Sequence, residues 1–584
     1  MVAISASSEV KAFDSSSKQV AITLLGFLLA VAIILLVVAP LAHVFDIATR
    51  EENNMGVSEV RSLTALIDVY TSAEYLEPLA HTFVLAVVVT ALSLLAGVGM
   101  AVIVARTNIP FKSMWDLMIM MPLFLSPFTL LIAWVTLAGP NTGFLNGIGN
   151  AIFRAGISRP PNIVNINTYL GIVWVMFLVS CPMAYLFTIG TLRGMDSSLE
   201  EASRSAGASP LRTILSITLP VCLPSILSAG LLIFILTMET YTIPGVLGSA
   251  FGYSTLPWQL YIDSSSVPPR LAHAAAAGTL LLVITGAGIW AQRRITRFSS
   301  RYVTITGKSA SARPFDLGRA QWIFTLVLAL YVGCAVVLPL IALIVASFLK
   351  FSAAVPTIEA FTTIHYTQFF TEPASRAALP NTILLAVVSA ATCVVLGVTV
   401  GALDLRRPRW WTKVIASVGI LPVAVPGLIF GFGILWTYIS TPLYGTIGIL
   451  LLAHIARFIP YGLIASRAAL LQVHPSLEEC GRMAGAGPTR VLATITLPLV
   501  KPALIATLFL VMVQSVKELS ASILLFTPRS QVLSTLTWQY VESGDFQYAA
   551  TIGIIQTIML VAMILITRYL LGLRLERGIG KGVS

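Results

Sequence analysis

Long apolar runs separated by short polar stretches recur along the whole 584-residue chain. A helix of about 20 residues, rising about 1.5 Å per residue, crosses the roughly 30 Å hydrocarbon core of a bilayer. The pattern therefore predicts twelve membrane-spanning helices. Their predicted bounds are 20–41, 79–105, 114–138, 168–190, 223–247, 271–292, 321–348, 379–404, 412–439, 445–466, 501–526 and 548–571.

Composition supports a membrane protein. Of all residues 57% are hydrophobic and only 10% are charged, which is too little polar surface to cover a water-soluble domain. The predicted fold class is all-α, with twelve helices in a polytopic membrane protein. The first run is longer than the apolar part of a usual signal peptide and lacks a good cleavage site, so we expect it to be retained.

Charge distribution predicts orientation. The formal net charge is +11, and most of the 36 Lys and Arg fall in segments that are cytoplasmic if the N-terminus is placed inside the cell. This positive-inside pattern predicts cytoplasmic N- and C-termini. Membrane lipid is then the expected contact of the basic residues, and nucleic acid is not an expected partner.

The chain divides into two similar halves around a basic linker. Residues 198–224 align without a gap on residues 476–502, and 15 of the 27 positions are identical. Both halves run in the same order and direction, which predicts a parallel repeat. The predicted parts are an N-terminal tail, a first half, a linker, a second half and a C-terminal tail, at 1–19, 20–292, 293–320, 321–571 and 572–584.

The aligned loops predict a helix, a tight turn and a second helix. In the first copy Ser198 and Glu201 have the spacing of a capping box, and Gly207 suits the left-handed turn that ends a helix. Pro210 then suits the first position of the next helix. The second copy repeats these features at Ser476, Glu479, Gly485 and Pro488.

The first helix of each loop is predicted to dock on a partner. Its small residues allow close approach, its acidic start complements the helix dipole, and Arg204 or Arg482 follows one turn later. An amphipathic loop lying on lipid headgroups is the alternative. The small residues are Ala202, Ser203 and Ala206, then Cys480, Gly481 and Ala484; the acidic ones are Glu200, Glu201, Glu478 and Glu479.

Each loop resembles the signature of binding-protein-dependent ABC importer permeases: Glu-Ala-Ala, a glycine four residues later, then Ile-x-Leu-Pro. Only the alanine positions depart from it, and Ser203, Cys480 and Gly481 there are still small. The matching residues are Glu201-Ala202-Ser203, Gly207 and Ile217-Thr218-Leu219-Pro220, then Glu479-Cys480-Gly481, Gly485 and Ile495-Thr496-Leu497-Pro498.

The resemblance implies an ABC importer permease without a cofactor. Two copies of an ATPase subunit would each hold one loop as a coupling helix, and a periplasmic solute-binding protein would deliver the solute. Fused permeases of this size are similar to the ferric-iron group, with thiamine, 2-aminoethylphosphonate and polyamine permeases as relatives. The implied coupling residues are Glu200, Glu201, Ala202, Gly207, Glu478, Glu479, Cys480 and Gly485.

The motifs of an enzyme are missing from the sequence. Gly307-Lys308-Ser309 has Tyr302 where a phosphate-binding loop needs its first glycine, so ATP hydrolysis is expected in a separate subunit. An ion-coupled secondary transporter is the rival from another class, since it also favours twelve helices in two halves. The five cysteines have no metal-ligand spacing and are predicted to be buried packing residues.

Four ionisable residues within predicted helices are candidate pathway residues, because unpaired charge is costly in a membrane. Glu239 and Glu518 occupy nearly corresponding places in the repeats, with Lys517 beside the second and Arg457 in the tenth helix. Attraction of a cation and pairing between helices are both open interpretations. Prolines interrupt the third and ninth runs at Pro122, Pro127, Pro422 and Pro426, which predicts either broken helices or plain kinks.

Overall fold

The computed structural model describes residues 26–53, 56–153, 162–196, 198–299, 314–406 and 408–570. Both predicted tails and residues 300–313 of the linker, which include Gly307-Lys308-Ser309, lie outside these residues. The described chain is almost entirely helical and has a single antiparallel hairpin, β1 (Arg50–Asn53) and β2 (Gly56–Arg61). The all-α polytopic fold is confirmed.

The helices of the first half are α1 (Gly26–Ala48), α2 (Thr64–Thr71), α3 (Ala73–Arg106), α4 (Lys112–Leu123), α5 (Pro127–Ala138), α6 (Phe144–Phe153), α7 (Tyr169–Gly194), α8 (Ser198–Ser205), α9 (Pro210–Glu239), α10 (Thr242–Phe251), α11 (Leu256–Ser265) and α12 (Leu271–Ser299). Those of the second half are α13 (Gly318–Ser347), α14 (Ile364–Thr371), α15 (Pro373–Arg406), α16 (Trp410–Ala424), α17 (Gly427–Tyr438), α18 (Ile447–Leu471), α19 (Pro475–Met483), α20 (Pro488–Lys517), α21 (Leu533–Glu542) and α22 (Phe546–Leu570).

Ten of the described helices are long and apolar enough to span a membrane, and the number is up to twelve if each of two bent pairs is counted as one span. The pairs are α4 with α5, bent by 96°, and α16 with α17, bent by 117°. Pro127 begins α5 and Pro426 caps α17, positions that tolerate proline because the missing N–H would have no helical acceptor. The predicted third and ninth spans are therefore broken helices, not plain kinks.

The bounds predicted for the fifth and eleventh spans, 223–247 and 501–526, are wrong at both ends. Helices α9 and α20 begin earlier, because the second helix of each repeated loop continues into the span through a π-helical turn. They also end earlier, at Glu239 and Lys517. In the first half Pro244 would clash with the carbonyl of Thr240 in a continuous helix, a break that apolar composition does not reveal.

The described chain forms two compact units that differ from the predicted halves. The larger contains Phe45–Leu379 and Gln531–Val561, whereas the smaller contains Pro380–Ser530, α1 as far as Val44 and the end of α22 from Ala562. The second half of the sequence is therefore divided between the two units. The division into halves at the linker stays a prediction about the repeat.

The first helix of each half packs against helices of the other half. In the smaller unit α1 packs against α17, where the hydroxyl of Tyr438 donates to the carbonyl of Leu35 at 2.9 Å. A side chain at Gly433 would lie 2.5 Å from the carbonyl oxygen of Pro40, so glycine allows this approach. In the larger unit α13 packs against α5, and Tyr331 donates to the carbonyl of Leu178 on α7 at 3.1 Å.

The cysteines follow the burial prediction with one exception. Cys181, Cys222 and Cys393 are buried and Cys334 is half-buried, whereas Cys480 is exposed. The prediction is wrong for Cys480 because it lies on the outward side of α19, a helix that is too short and polar to be enclosed.

Candidate functional site

The two repeated loops fold as matching hairpins. After α8, Gly207 takes a left-handed φ of 82°, and the amide of Ala208 donates to the carbonyl of Ser203 at 3.1 Å. After α19, Gly485 has φ 85°, and Ala486 donates to Gly481 at the same distance. This is the Schellman motif. The predicted helix, glycine turn and proline-initiated second helix are confirmed in both copies.

The predicted capping boxes are wrong. Helix α19 begins at Pro475 with His474 as its cap, and the His474 side chain accepts from the amide of Ser476 at 3.3 Å. In the first hairpin Ser198 is already helical, and Asp196 Oδ1 accepts from its amide at 2.9 Å. In each hairpin a side chain two residues before the serine accepts a hydrogen bond from the serine amide. The serine side chain therefore does not cap the helix.

The predicted coupling residues separate into a buried and an exposed set. Glu200 and Glu478 are only 2% and 5% exposed. The other six lie on the outward side of the hairpins: Glu201, Ala202, Gly207, Glu479, Cys480 and Gly485. Only the exposed set can meet a partner directly.

Each buried glutamate binds residues that sequence reasoning missed. Glu200 accepts from Arg106 and Thr218, and Glu478 accepts from Arg406 and Thr496. The threonines stand at the same place in both copies of the repeated text, and the arginines end the matching helices α3 and α15. Because these two threonines and two arginines recur at matching positions in the two halves, the repeat could have identified them from the sequence.

The end of the linker belongs to the first hairpin. Phe315 is 4% exposed, its amide donates to the carbonyl of Arg106 at 2.7 Å, and its ring lies 3.9 Å below the guanidinium of Arg204. In the second hairpin the Arg482 guanidinium instead lies 3.8 Å from the Glu478 carboxylate. The two hairpins therefore have different arginine environments.

Three of the four candidate pathway residues lie at helix ends, whereas Arg457 lies within α18. Glu239 is the last residue of α9, and Glu518 directly follows Lys517, the last residue of α20. Glu518 Oε1 accepts from the amide of Ala521 at 2.7 Å. The carboxylates therefore lie where the helices end, not within helix interiors.

Arg457 stabilises the bent pair α16–α17. Its guanidinium donates to the carbonyl of Pro422 at 3.2 Å and to that of Val425. Both carbonyls lie at the break, where the helical acceptor pattern is interrupted. These hydrogen bonds join Arg457 to the bent pair, whereas ion pairing of a glutamate with Arg457 or Lys517, and a place of Arg457 on a pathway, stay predictions.

A second repeat-related contact joins α11 and α21 within the larger unit. Trp538 is 1% exposed, its ring lies 6.2 Å from that of Trp258, and its Nε1 donates to the hydroxyl of Tyr261 at 3.2 Å. Tyr261 donates in turn to Glu542 at 2.9 Å. Burial, together with the Glu542 charge, raises the pKa of the Tyr261 phenol, so it remains a donor.

Comparison with known families identifies the repeat. The family described as "Binding-protein-dependent transport system inner membrane component" matches this chain twice, at residues 70–300 and 393–579. The chain belongs to this family. Both matches include a hairpin, so this inner membrane component carries two family domains in one multi-pass polypeptide.

Named relatives of this inner membrane component are transport permeases. The chain is 26% identical over 407 residues to the ferric transport system permease protein FbpB of Actinobacillus pleuropneumoniae, covering 69% of this chain and 58% of the relative. It is 24% identical over 494 residues to the Fe(3+)-transport system permease protein FbpB 2 of Haemophilus influenzae, covering 84% and 88%. It is 26% identical over 256 residues to the putative 2-aminoethylphosphonate transport system permease protein PhnU of Salmonella choleraesuis, covering 44% and 85%.

Proposed function

We propose that this chain is the permease subunit of an ABC importer. It forms the translocation path, a periplasmic solute-binding protein delivers the solute, and two ATPase subunits dock on α8 and α19. ATP is hydrolysed in those subunits and not in this chain. Both termini and both hairpins then lie on the cytoplasmic side, as the distribution of basic residues indicates.

The observation that carries this proposal is the duplicated hairpin. Both copies expose a small residue beside an acidic one, Ala202 beside Glu201 and Cys480 beside Glu479. A small residue lets a partner approach the helix closely, and the acid offers it a charge. Two such surfaces in one chain fit two copies of one partner.

Ferric iron is the first candidate solute, because two of the relatives described above are named as ferric permeases. The 2-aminoethylphosphonate relative makes that anion the second candidate. Thiamine and polyamine carriage remain alternatives from the resemblance of the motifs. The binding protein is expected to make most of the selection.

Transport by the reconstituted complex tests the proposal. The chain, its ATPase and its binding protein are placed in proteoliposomes, and uptake of radiolabelled ferric iron and of 2-aminoethylphosphonate is measured with and without ATP. ATP-dependent uptake of one solute is expected. Uptake that persists without ATP and collapses with the ion gradient would instead identify a secondary transporter.

Charge reversal tests the docking surface. Glu201→Lys combined with Glu479→Lys should release the ATPase during purification and lower ATP-dependent uptake about tenfold or more, a loss typical of a broken coupling. The matched control reverses two exposed acids away from the hairpins, Glu59→Lys with Glu359→Lys. ATPase retention in the first variant would contradict docking on the hairpins.

A further inference from the structure

The first hairpin is fastened to the transmembrane helices by one buried carboxylate. Glu200 Oε1 accepts from Arg106 Nε at 2.9 Å and from Thr218 Oγ1 at 2.7 Å. Arg106 ends α3, and its Nη2 also donates to the carbonyl of Leu192 near the end of α7 at 2.9 Å. Glu200 thus joins α8 to α3, α7 and α9 at one point.

The second hairpin repeats the arrangement. Glu478 Oε1 accepts from Arg406 Nε at 2.9 Å and Nη2 at 2.5 Å, and from Thr496 Oγ1 at 2.9 Å. Arg406 ends α15, and Thr496 lies near the start of α20. We name these two groups the pins: Arg106, Glu200 and Thr218 in the first half, and Arg406, Glu478 and Thr496 in the second.

Each pin holds its membrane helix at a wide turn. The π-helical segments Ile214–Thr218 and Leu492–Thr496 both end at the threonine of the pin. A π-helical turn is a local irregularity in the helical hydrogen-bond pattern and is frequent at functional sites. Each pin therefore binds its own helix, α9 or α20, where the first turns of that helix are least regular.

Stability alone does not account for an ion pair with a buried carboxylate that occurs twice. Removing two charges from water costs free energy that their attraction often does not fully return, and apolar residues of similar size can stabilise as well. What the pair supplies is a defined geometry, because guanidinium and carboxylate bind each other in fixed directions. A link that must transmit movement requires that property.

We propose that Glu200 and Glu478 are positioning residues that transmit movement of each hairpin to the transmembrane helices, while Glu201 and Glu479 contact the ATPase. This inference rests on the proposed function. A displacement of α8 is transmitted through Glu200 to the end of α3 and the start of α9. In the second half Glu478 transmits a displacement of α19 to α15 and α20.

Neutral variants separate transmission from docking. Glu200→Gln with Glu478→Gln keeps an acceptor oxygen for each threonine but removes the charge that holds each arginine. This variant should retain the ATPase and its hydrolysis, while the solute transported per ATP falls about tenfold in proteoliposomes. The control Glu201→Gln with Glu479→Gln should lose bound ATPase instead.

Apolar pins test whether the role is only structural. Arg106→Met and Arg406→Met combined with Glu200→Leu and Glu478→Leu fill the same spaces without charge. We expect a thermal stability close to that of the unmodified chain, with coupling still lost. Normal solute transport per ATP in this variant would overturn the proposal.

Two other results would also contradict the pins. Loss of the ATPase from the glutamine variant would make Glu200 and Glu478 part of the docking surface, and unchanged coupling there would make the charge dispensable. Failure of the proposed function looks different, since the unmodified chain would then neither retain an ATPase nor transport with ATP.

Discussion

Adjacent glutamates in the two hairpins have opposite surroundings. Glu200 is enclosed by Arg106 and Thr218, whereas Glu201 is exposed, and Glu478 and Glu479 repeat the contrast. Successive residues of a helix are turned by about 100°, so neighbours on a partly buried helix face different environments. At the residue scale, one glutamate of each adjacent pair therefore binds interior residues, and the other lies at the surface.

The glycines of the hairpins should resist replacement. At Gly207 and Gly485 no atom lies within 4 Å of an added Cβ, so the cost of alanine comes only from the left-handed φ. That cost is roughly 1–2 kcal/mol per residue. The alanine pair should retain less ATPase on co-purification, and the asparagine pair should retain more, because asparagine tolerates this conformation. Equal retention by both would contradict the strain argument.

Glu518 allows its charge to be tested apart from its hydrogen bond. Glu518→Gln can still accept from the Ala521 amide, so we expect an unchanged melting temperature and slower cation uptake. Glu518→Met removes the acceptor and should lower stability by about 1 kcal/mol. Glu239→Gln should slow uptake in the same way. Normal transport by both glutamine variants would make these carboxylates structural.

At the element scale, the bent pairs place non-helical backbone within two predicted spans. Carbonyls at such a break need donors, because lipid offers none. Arg457 donates to two of them, and Gly427 and Gly431 let α17 approach the segment after α20. The break and its supporting residues therefore form one structural feature.

Gly431 should be intolerant of any side chain. An added Cβ would lie 2.6 Å from the carbonyl oxygen of Ala521, which is backbone and cannot simply rotate away. Gly431→Ala should cost on the order of 1–3 kcal/mol by overpacking. Gly190→Ala is the matched control, since nothing lies within 4 Å there, and it should be neutral or stabilising. Thermal unfolding in detergent measures both, and equal melting temperatures would count against the contact.

At the scale of the whole molecule, the halves exchange their first helices. Helix α1 packs with α17 in the smaller unit, and α13 packs with α5 in the larger. An apolar helix left without its partner loses packing contacts that lipid replaces only in part. Each half is therefore incomplete without the other.

Separated halves should depend on one another for stability. If the chain is cut within the linker, each half expressed alone should accumulate poorly in the membrane, and co-expression should restore both. Gly433→Leu in the second half should weaken this rescue, because leucine would occupy the place of the Pro40 backbone. Immunoblotting measures the amount of each half in the membrane. Full accumulation of a half expressed alone would contradict the exchange of first helices.

The sequence by itself determined the features that depend on local chemistry. Apolar length predicted a helix in each of the ten unbroken spans, and Gly207 and Pro210 predicted the first hairpin, because span length and turn conformation depend on neighbouring residues. The same reasoning misplaced the caps, since it did not weigh His474. It also misplaced the end of α9, where apolar residues continue beyond the break at Thr240.

Only the tertiary structure decided which residues meet across long stretches of chain. Arg106 lies 94 residues before Glu200, and no local pattern indicates that the arginine ending α3 will bury that carboxylate. The exchange of α1 and α13 is equally invisible in hydropathy, because an apolar helix can satisfy its surface against any complementary neighbour. Packing and the desolvation of charge are properties of the assembled fold, so they assigned Glu200 to the interior and left Glu201 at the surface.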